Sequence, residues 1–191
     1  PQTLAVFWEI ATDDQFKDRV GAGLSNATPE RDWTVKVDAK DLKPATHYYY
    51  RFYLQGRGSV VGRTKTAPSD MVDALRFGVC SCARYGSGYY VGYQAIAEID
   101  NLDAVLHLGD YMYESDGGGG FRANDPPHTT VTLSDYRRRY ARQRTDQSLQ
   151  LMHAKHPMIA VWDDHETANN SHRDGAGGHT DAEHGKWSER K

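Results

Sequence analysis

Three short apolar runs in the second half of this chain each close on ligand-capable side chains, and this constrains the fold more than any other feature. "LRFGVCSCA" ends at Cys80 and Cys82, and "DAVLHLGD" ends at Asp110 with Tyr113 just beyond. "PMIAVWDDHE" ends at Asp163, Asp164, His165 and Glu166. Near-continuous apolar runs of this length predict strands buried in a sheet. Between them, "YVGYQAIAEI" carries Tyr93, Ile96 and Ala97 at helical spacing. Residues 133–153 read as one or two helices opened by Ser134 as N-cap. The β-α-β-α-β alternation from Leu75 onward predicts an α/β layered sheet. Ligands of open α/β sheets gather at the carboxyl ends of the strands, so three polar strand ends point to one shared site.

The first third reads differently. "AVFWEIA", "DWTVKVDAK" and "HYYYRFYLQ" predict strands, the second with Trp33, Val35 and Val37 on one face and the third alternating with period 2. "GRGSVVGRTKTAP" predicts a turn and a closing strand. Leu42-Lys43-Pro44, followed by Tyr48 at a strand start, resembles the tyrosine corner of a β-sandwich, with fibronectin type III the nearest pattern. A complete sandwich takes about 100 residues and seven strands, and roughly five fit in this length. The Pro/Ser/Asp stretch after Thr66 reads as a linker. The division expected is 1–67 partial sandwich, 68–74 linker and 75–191 α/β layer.

Charge and apolar patterning exclude several partners. A net charge of -3 supplies no basic surplus for a polyanion, so no nucleic-acid groove is expected. No apolar run approaches the roughly 20 residues of a membrane span. The chain opens at Pro1 rather than Met, and any export leader is expected outside it. Cys80 and Cys82 share a strand face and are poorly placed to bridge each other.

The donor types narrow the chemistry. Asp110 at a strand end is able to bridge two cations with its two oxygens. A thiolate with a phenolate suits a trivalent or borderline transition metal, whereas Asp and Asn oxygens suit a harder cation such as calcium. Two adjacent metals activate a water and stabilise both oxygens of a phosphoryl transfer. His165 is placed to donate to a leaving alkoxide or a phosphate oxygen. Other features carry blander expectations. His107 reads as a satisfied core group, and His153 and His156 as helix-end cations. The arginines of 137–144 read as a solvated, salt-bridged helix face. Gly178-His179-Thr180-Asp181 reads as an exposed loop, and Gly117–Gly120 as a surface loop near the site mouth.

"HLGDYMYE", "VWDDHETANN", "LSDYRRRYARQRTD" and "CSCARYGSGYYVGY" together resemble the alkaline phosphatase D family of metallophosphoesterases. The likeness extends back through the tyrosine corner and so covers nearly the whole chain. It implies an α/β fold, the amino-terminal half of an α+β layered metallophosphoesterase sandwich preceded by a partial all-β fibronectin III/Ig-like sandwich. It also implies Fe3+ with Ca2+, small phosphomonoester and phosphodiester substrates, and a secreted, periplasmic or cell-wall location. Carried over by position, Cys82 matches the iron-binding cysteine and Asp110 the bridging aspartate. Tyr113 matches the iron-binding phenolate, Asp164 a metal ligand, and His165 the histidine that contacts substrate. Asp163 and Glu166 read as supporting or helix-capping groups, and Glu114 as a support for the metal loop.

The pattern breaks after "NNSHRDGAGGHTDAEHGKWSERK". The later histidine ligands of a calcineurin-like site, ending in a G-H-x-H loop, are not in these residues. The chain is therefore expected to be truncated at both ends, with a second chain or a missing C-terminal half completing the site. The competing expectation is an inactive extracellular binding module descended from a phosphoesterase.

Overall fold

The computed structural model describes residues 3–116 and 120–190. Gly117, Gly118 and Gly119 of the expected glycine loop lie outside them. The chain divides into two compact units, described in turn. The first comprises Pro1–Arg76 with Asn101–Ala104 and His153–Pro157, and the second the remainder.

The first unit is built on one antiparallel sheet of five strands. They are β1 (Leu4–Ala11), β2 (Arg19–Ala27), β3 (His47–Leu54), β4 (Arg57–Gly58) and β5 (Gly62–Lys65). The order is β2-β1-β3-β4, with β5 also paired to β3. Val6, Ile10, Ala11, Ala27 and Tyr48 form its buried apolar set. Glu9 is buried among them because Arg51 Nε, at 2.6 Å, and Arg19 Nη1, at 2.9 Å, both donate to its carboxylate. A buried charge survives only when paired in this way. The tyrosine corner forms: the Lys43 backbone N–H donates to the Tyr48 hydroxyl at 2.8 Å. Among the described residues this unit forms no second sheet.

Two strand expectations change. Residues 32–40 form no strand, and Trp33 is 43% exposed. The chain turns through left-handed backbone at Asp32 and Trp33 and again at Asp41, which removes the segment from the extended geometry a ladder needs. The strand beside β1 is instead β2, "RVGAGLSNA", whose alternating Val20, Ala22 and Leu24 are exposed rather than packed into the core. Its glycines answer to packing. A Cβ at Gly23 would lie 3.1 Å from Trp8 Nε1 of β1, so the indole occupies the space a side chain would need.

The second unit carries the three expected strands as β6 (Phe77–Cys80), β7 (Ala104–His107) and β8 (Met158–Ala160), in the order β6-β7-β8. β7 and β8 are parallel, with Leu106 opposite Ile159. Its helices are α1 (Val91–Ala97), α2 (Leu133–Gln143), α3 (Gln147–Lys155) and two single turns, α4 (Asp181–His184) and α5 (Trp187–Arg190). The α/β expectation holds. The N-cap of α2 is Thr132 rather than Ser134. Its hydroxyl accepts from Asp135 N–H at 3.2 Å while Asp135 accepts from Thr132 N–H at 2.9 Å, a reciprocal capping box. Tyr85, Tyr90, Tyr93, Val105, Tyr111, Met112, Leu149 and Met152 are buried. By contrast Phe77, Val79, Leu108, Ile159, Val161 and Trp162, on or just past the three strands, are exposed.

His107 is the satisfied core histidine expected. Gly109 N–H donates to its Nδ1 at 3.3 Å, so Nε2 carries the proton and meets the Tyr93 hydroxyl at 2.9 Å. Burial holds its pKa below the ordinary 6.5, against the pull of Glu166 and Asp110. The unfolded chain therefore takes up this proton at a higher pH than the native one. The neutral imidazole's stabilising contribution is complete above pH 6.5 and is lost as pH falls through the lowered native value. We expect His107→Gln to flatten the pH dependence of the melting temperature between about pH 6.5 and 5, measured against the native chain.

Candidate metal centre

The site is assembled by three loops that leave the carboxyl ends of β6, β7 and β8. Backbone bonds tie them together: Cys82 N–H donates to Gly109 O at 3.2 Å and Ala83 N–H to Asp110 O at 3.1 Å. Where the loops cross, the backbone is forced left-handed at Cys82 (φ 57°), Asp110 (φ 53°) and Asn170 (φ 53°). Such a conformation costs a non-glycine residue of order 1 kcal/mol and persists only where surroundings impose it. Gly109 has φ 104°, and a Cβ there would come within 2.5 Å of Asp163 Cβ. The β7 and β8 loops approach so closely that only glycine fits between them.

Glu166 secures that approach. Its buried carboxylate accepts from the backbone N–H groups of Asp110 at 3.2 Å, Tyr111 at 2.5 Å and Asp163 at 2.9 Å. Three amide donors saturate most of its acceptor capacity, so Glu166 acts on backbone. Glu114, also buried, works in the same style. It accepts from Asn169 N–H at 2.7 Å through one oxygen and faces His165 Nδ1 at 2.7 Å through the other. With Nδ1 donating to this carboxylate, Nε2 of His165 is the nitrogen left for a ligand or a proton.

Four of the five residues singled out from sequence converge in one group. Asp110, Asp164 and His165 each offer a ligand atom, all within 4.8 Å of one another. The Tyr113 hydroxyl donates to Asp110 Oδ2 at 3.1 Å, and its ring lies 4.2 Å from that of His165. Cys82 is an exposed free thiol whose side chain bears on the Tyr113 hydroxyl. Burial raises the Tyr113 pKa, and the neighbouring Asp110 and Cys82 raise it further. Burial also tends to raise Asp164, but the Asn170 N–H and His165 outweigh it and hold the carboxyl below its ordinary value. Cys80 is different in kind. Its thiol is pushed up to about 11 by burial and faces the Leu106 carbonyl, which suits an inert strand side chain.

The group fits a cation. Asp110 Oδ1 is buried and has no hydrogen-bond partner among the described residues, although Asp110 Oδ2 is bonded to Tyr113. A buried carboxylate oxygen without a donor costs roughly 1–3 kcal/mol or more. Carboxylate, phenol and imidazole around that oxygen are a suitable donor set.

Two expectations need correction. Arg139, in the supposed solvated face of α2, is 1% exposed and among the described residues bonds only to carbonyls. Tyr136, Arg139, Tyr140 and Gln143 share one helical stripe, and that spacing was the available signal for an inward polar face. The side chain of His179 is packed within its exposed loop, its ring 5.1 Å from Trp187 and its Nδ1 3.1 Å from Arg190 Nη1.

Comparison with known proteins gives concordant results. A family model described as PhoD-like phosphatase matches residues 77–191, and its N-terminal-domain counterpart matches residues 1–68. Alkaline phosphatase D of Bacillus subtilis (strain 168) is 40% identical over 177 residues, 88% of this chain and 30% of its own length. The solved structure of PhoD superposes with a TM-score of 0.83 at 39% identity, covering 88% of this chain and 34% of that one. The chain thus spans about a third of the length of these relatives.

The unpartnered oxygen gives a test that separates function from stability. We expect Asp110→Asn to abolish cation uptake by calorimetry while leaving the metal-free protein as stable as the native chain, or up to about 1 kcal/mol more so.

Proposed function

Because the chain belongs to the PhoD-like phosphatase family, we propose that it is the amino-terminal part of a metal-dependent phosphatase acting on phosphate monoesters and diesters. Asp110 carries this reading: a buried carboxylate oxygen without a partner, ringed by Tyr113, Asp164 and His165. Cys82 and Tyr113 would hold Fe3+, with Asp110 as the proposed bridging aspartate and Asp164 as a further proposed metal ligand, Ca2+ being the second cation implied. When bound, these cations would supply an activated water and neutralise charge on the phosphoryl group. Asp110 and Asp164 hold fixed negative charge at the mouth of the three loops. Glu114 orients His165 through Nδ1, so that Nε2, once it has taken up a proton to form the imidazolium, is set to pass that proton to the departing alkoxide. Tyr113 must lose its raised-pKa proton to bind as phenolate, so uptake of the metal releases that proton and tightens as pH rises.

The division 1–67, 68–74 and 75–191, with a fibronectin-like character for the first part, is proposed on the tyrosine corner and the antiparallel sheet. The proposed setting is outside the cytoplasm, either secreted or in the periplasm or cell wall. Among the described residues no helix is long and apolar enough to cross a membrane.

A further polypeptide, in the same protein or a second chain, is proposed to complete the site. The exposed Phe77, Val79, Leu108, Ile159 and Val161 support this, because a parallel sheet is ordinarily covered on both faces. Residues 1–191 alone should then be weakly active or inactive, and activity should rise at least tenfold when the completing polypeptide is supplied. A single 21.5 kDa species with full phosphatase activity would refute that completion.

The function itself is tested on a panel of phosphate monoesters and diesters, first with the cations chelated and then with Fe3+ and Ca2+ returned, the completing polypeptide present. Hydrolysis should disappear and return. Tyr113→Phe should remove both activity and the visible phenolate band while the fold persists, and Tyr111→Phe should remove neither. A folded, colourless, iron-free protein without hydrolysis would favour the binding-module reading.

A further inference from the structure

Arg139 stands out among the buried groups that this mechanism does not use. It projects from the middle of α2, is 1% exposed, and has no carboxylate within ion-pairing distance among the described residues. Its two terminal nitrogens are instead given to main chain, while the buried Nε has no partner among the described residues. Nη1 donates to the carbonyls of Tyr113 at 2.7 Å, Glu114 at 3.3 Å and Ser115 at 3.0 Å. Nη2 donates to those of Pro126 and His128, each at 2.8 Å. Burial accordingly lowers its pKa from the ordinary value, with Asp116, Glu114 and Asp125 opposing from a distance.

A buried cation without a direct counter-ion is expensive, and an apolar side chain of similar volume would fill the same space at less cost. What the guanidinium does, and no apolar group can do, is fix five carbonyls in one plane-directed fork. Three of those carbonyls belong to consecutive residues that present the site. Tyr113 carries the hydroxyl bonded to Asp110, and Glu114 carries the carboxylate that holds His165 Nδ1 and Asn169 N–H. Arg84 secures the third, donating to Ser115 Oγ at 2.5 Å while its guanidinium lies 5.2 Å from the centre of the Tyr113 ring. The opposite side of the fork is anchored on residues 126 and 128, so 113–115 is pinned from outside the site.

We infer that Arg139 is a positioning residue. From behind the metal loop it sets where the Tyr113 hydroxyl and the Glu114–His165 pair stand relative to Asp110. Lysine at this position has three donors on one atom and no fork, and cannot hold carbonyls from both 113–115 and 126–128 in the same geometry. The consequence is specific. Loss of the fork should alter the site even where the fold is kept.

The test compares Arg139→Lys and Arg139→Met with Leu149→Ala, a fully buried apolar residue of α3 that has no side-chain donor for the metal-loop carbonyls. Two readouts are used. In the metal-free protein, NMR follows the His165 Nδ1–H proton, which is strongly deshielded while it is bonded to Glu114. In the reconstituted protein, titration with Fe3+ and with Ca2+ gives affinities and the position of the visible phenolate band. Arg139→Lys is expected to move the His165 proton upfield, shift the band and weaken cation binding at least tenfold. Leu149→Ala, destabilised but folded, should change neither. If Arg139→Lys leaves the proton, the band and the affinities as in Leu149→Ala, Arg139 is a structural residue only and the inference fails. Should Arg139→Met not fold, the lysine variant still decides.

The cation readouts rest on the metal-site reading proposed above, while the proton readout does not. A native chain that takes up no Fe3+ or Ca2+ would overturn that reading, and the His165 proton would still report on Arg139.

Discussion

The Glu166 carboxylate accepting three backbone N–H groups is the interaction on which the loop cluster depends. Asp110 N–H and Tyr111 N–H lie at the end of β7, and Asp163 N–H lies at the end of β8. Parallel strands deliver their loops to the same edge, but they do not fix the distance between them. One buried acceptor shared by both loops does fix it, with the missing Cβ of Gly109 letting the chains close. A charged acceptor bonded to several amides is stronger than a neutral one, and its desolvation makes those bonds costly to exchange for water. The side chains of Asp110 and Asp164 are thereby left free of structural duty to the Gly109–Asp163 contact. Their remaining capacity points at each other and at His165.

A consistent division of labour follows. Glu166, Glu114 and Arg139 spend their hydrogen bonds mainly on main chain or on a site residue's reverse side. Asp110 and Tyr113, by contrast, are held in place yet incompletely satisfied: Asp110 keeps a buried oxygen without a donor, and Tyr113 carries a hydroxyl whose proton is hard to remove. Strain is distributed the same way, with left-handed backbone at Cys82, Asp110 and Asn170, one position in each of the three loops. At Asp110 the strain coincides with burial and an unpartnered oxygen, a combination that a ligand site needs and a merely stable loop would avoid.

The parts legible in the sequence are those governed by local periodicity or by strand ends. β6, β7 and β8, the helix at Tyr93 and the tyrosine corner were readable because each is an apolar pattern closing on a turn residue. Their termini placed Asp110, Asp164 and His165 correctly at one sheet edge. What failed had a tertiary cause. β2 is a glycine-rich strand whose Gly21 and Gly23 lie against the Trp8 ring, a contact located in β1. Residues 32–40 have the right alternation but no partner strand, and β propensity without pairing forms nothing. Arg139 was misread because a charge at helical spacing ordinarily faces water, and only the carbonyls of a distant loop turn it inward. Thr132 rather than Ser134 caps α2 because Asp135, three residues on, makes the reciprocal bond that Arg137, three beyond Ser134, cannot.

The exposed apolar face of the second unit and the proposed completion of its ligand set meet at the same sheet. α1, α2 and α3 supply the aromatic and aliphatic groups buried with Val105 and His107, while Leu108, Ile159 and Val161 stand in water. A sheet face of β-branched and aliphatic residues is stable only when something apolar lies on it. The carboxyl edge of the same sheet is where Asp110 Oδ1 lacks a donor. Any polypeptide laid against the exposed face would reach that edge with its own strand ends or loops, because ligands in layered α/β folds gather at strand termini. On the proposed reading, covering the face and completing the ligand set would be one event in geometric terms. Burial of the apolar side chains would then offset the cost of bringing further ionisable groups to an already acidic cluster.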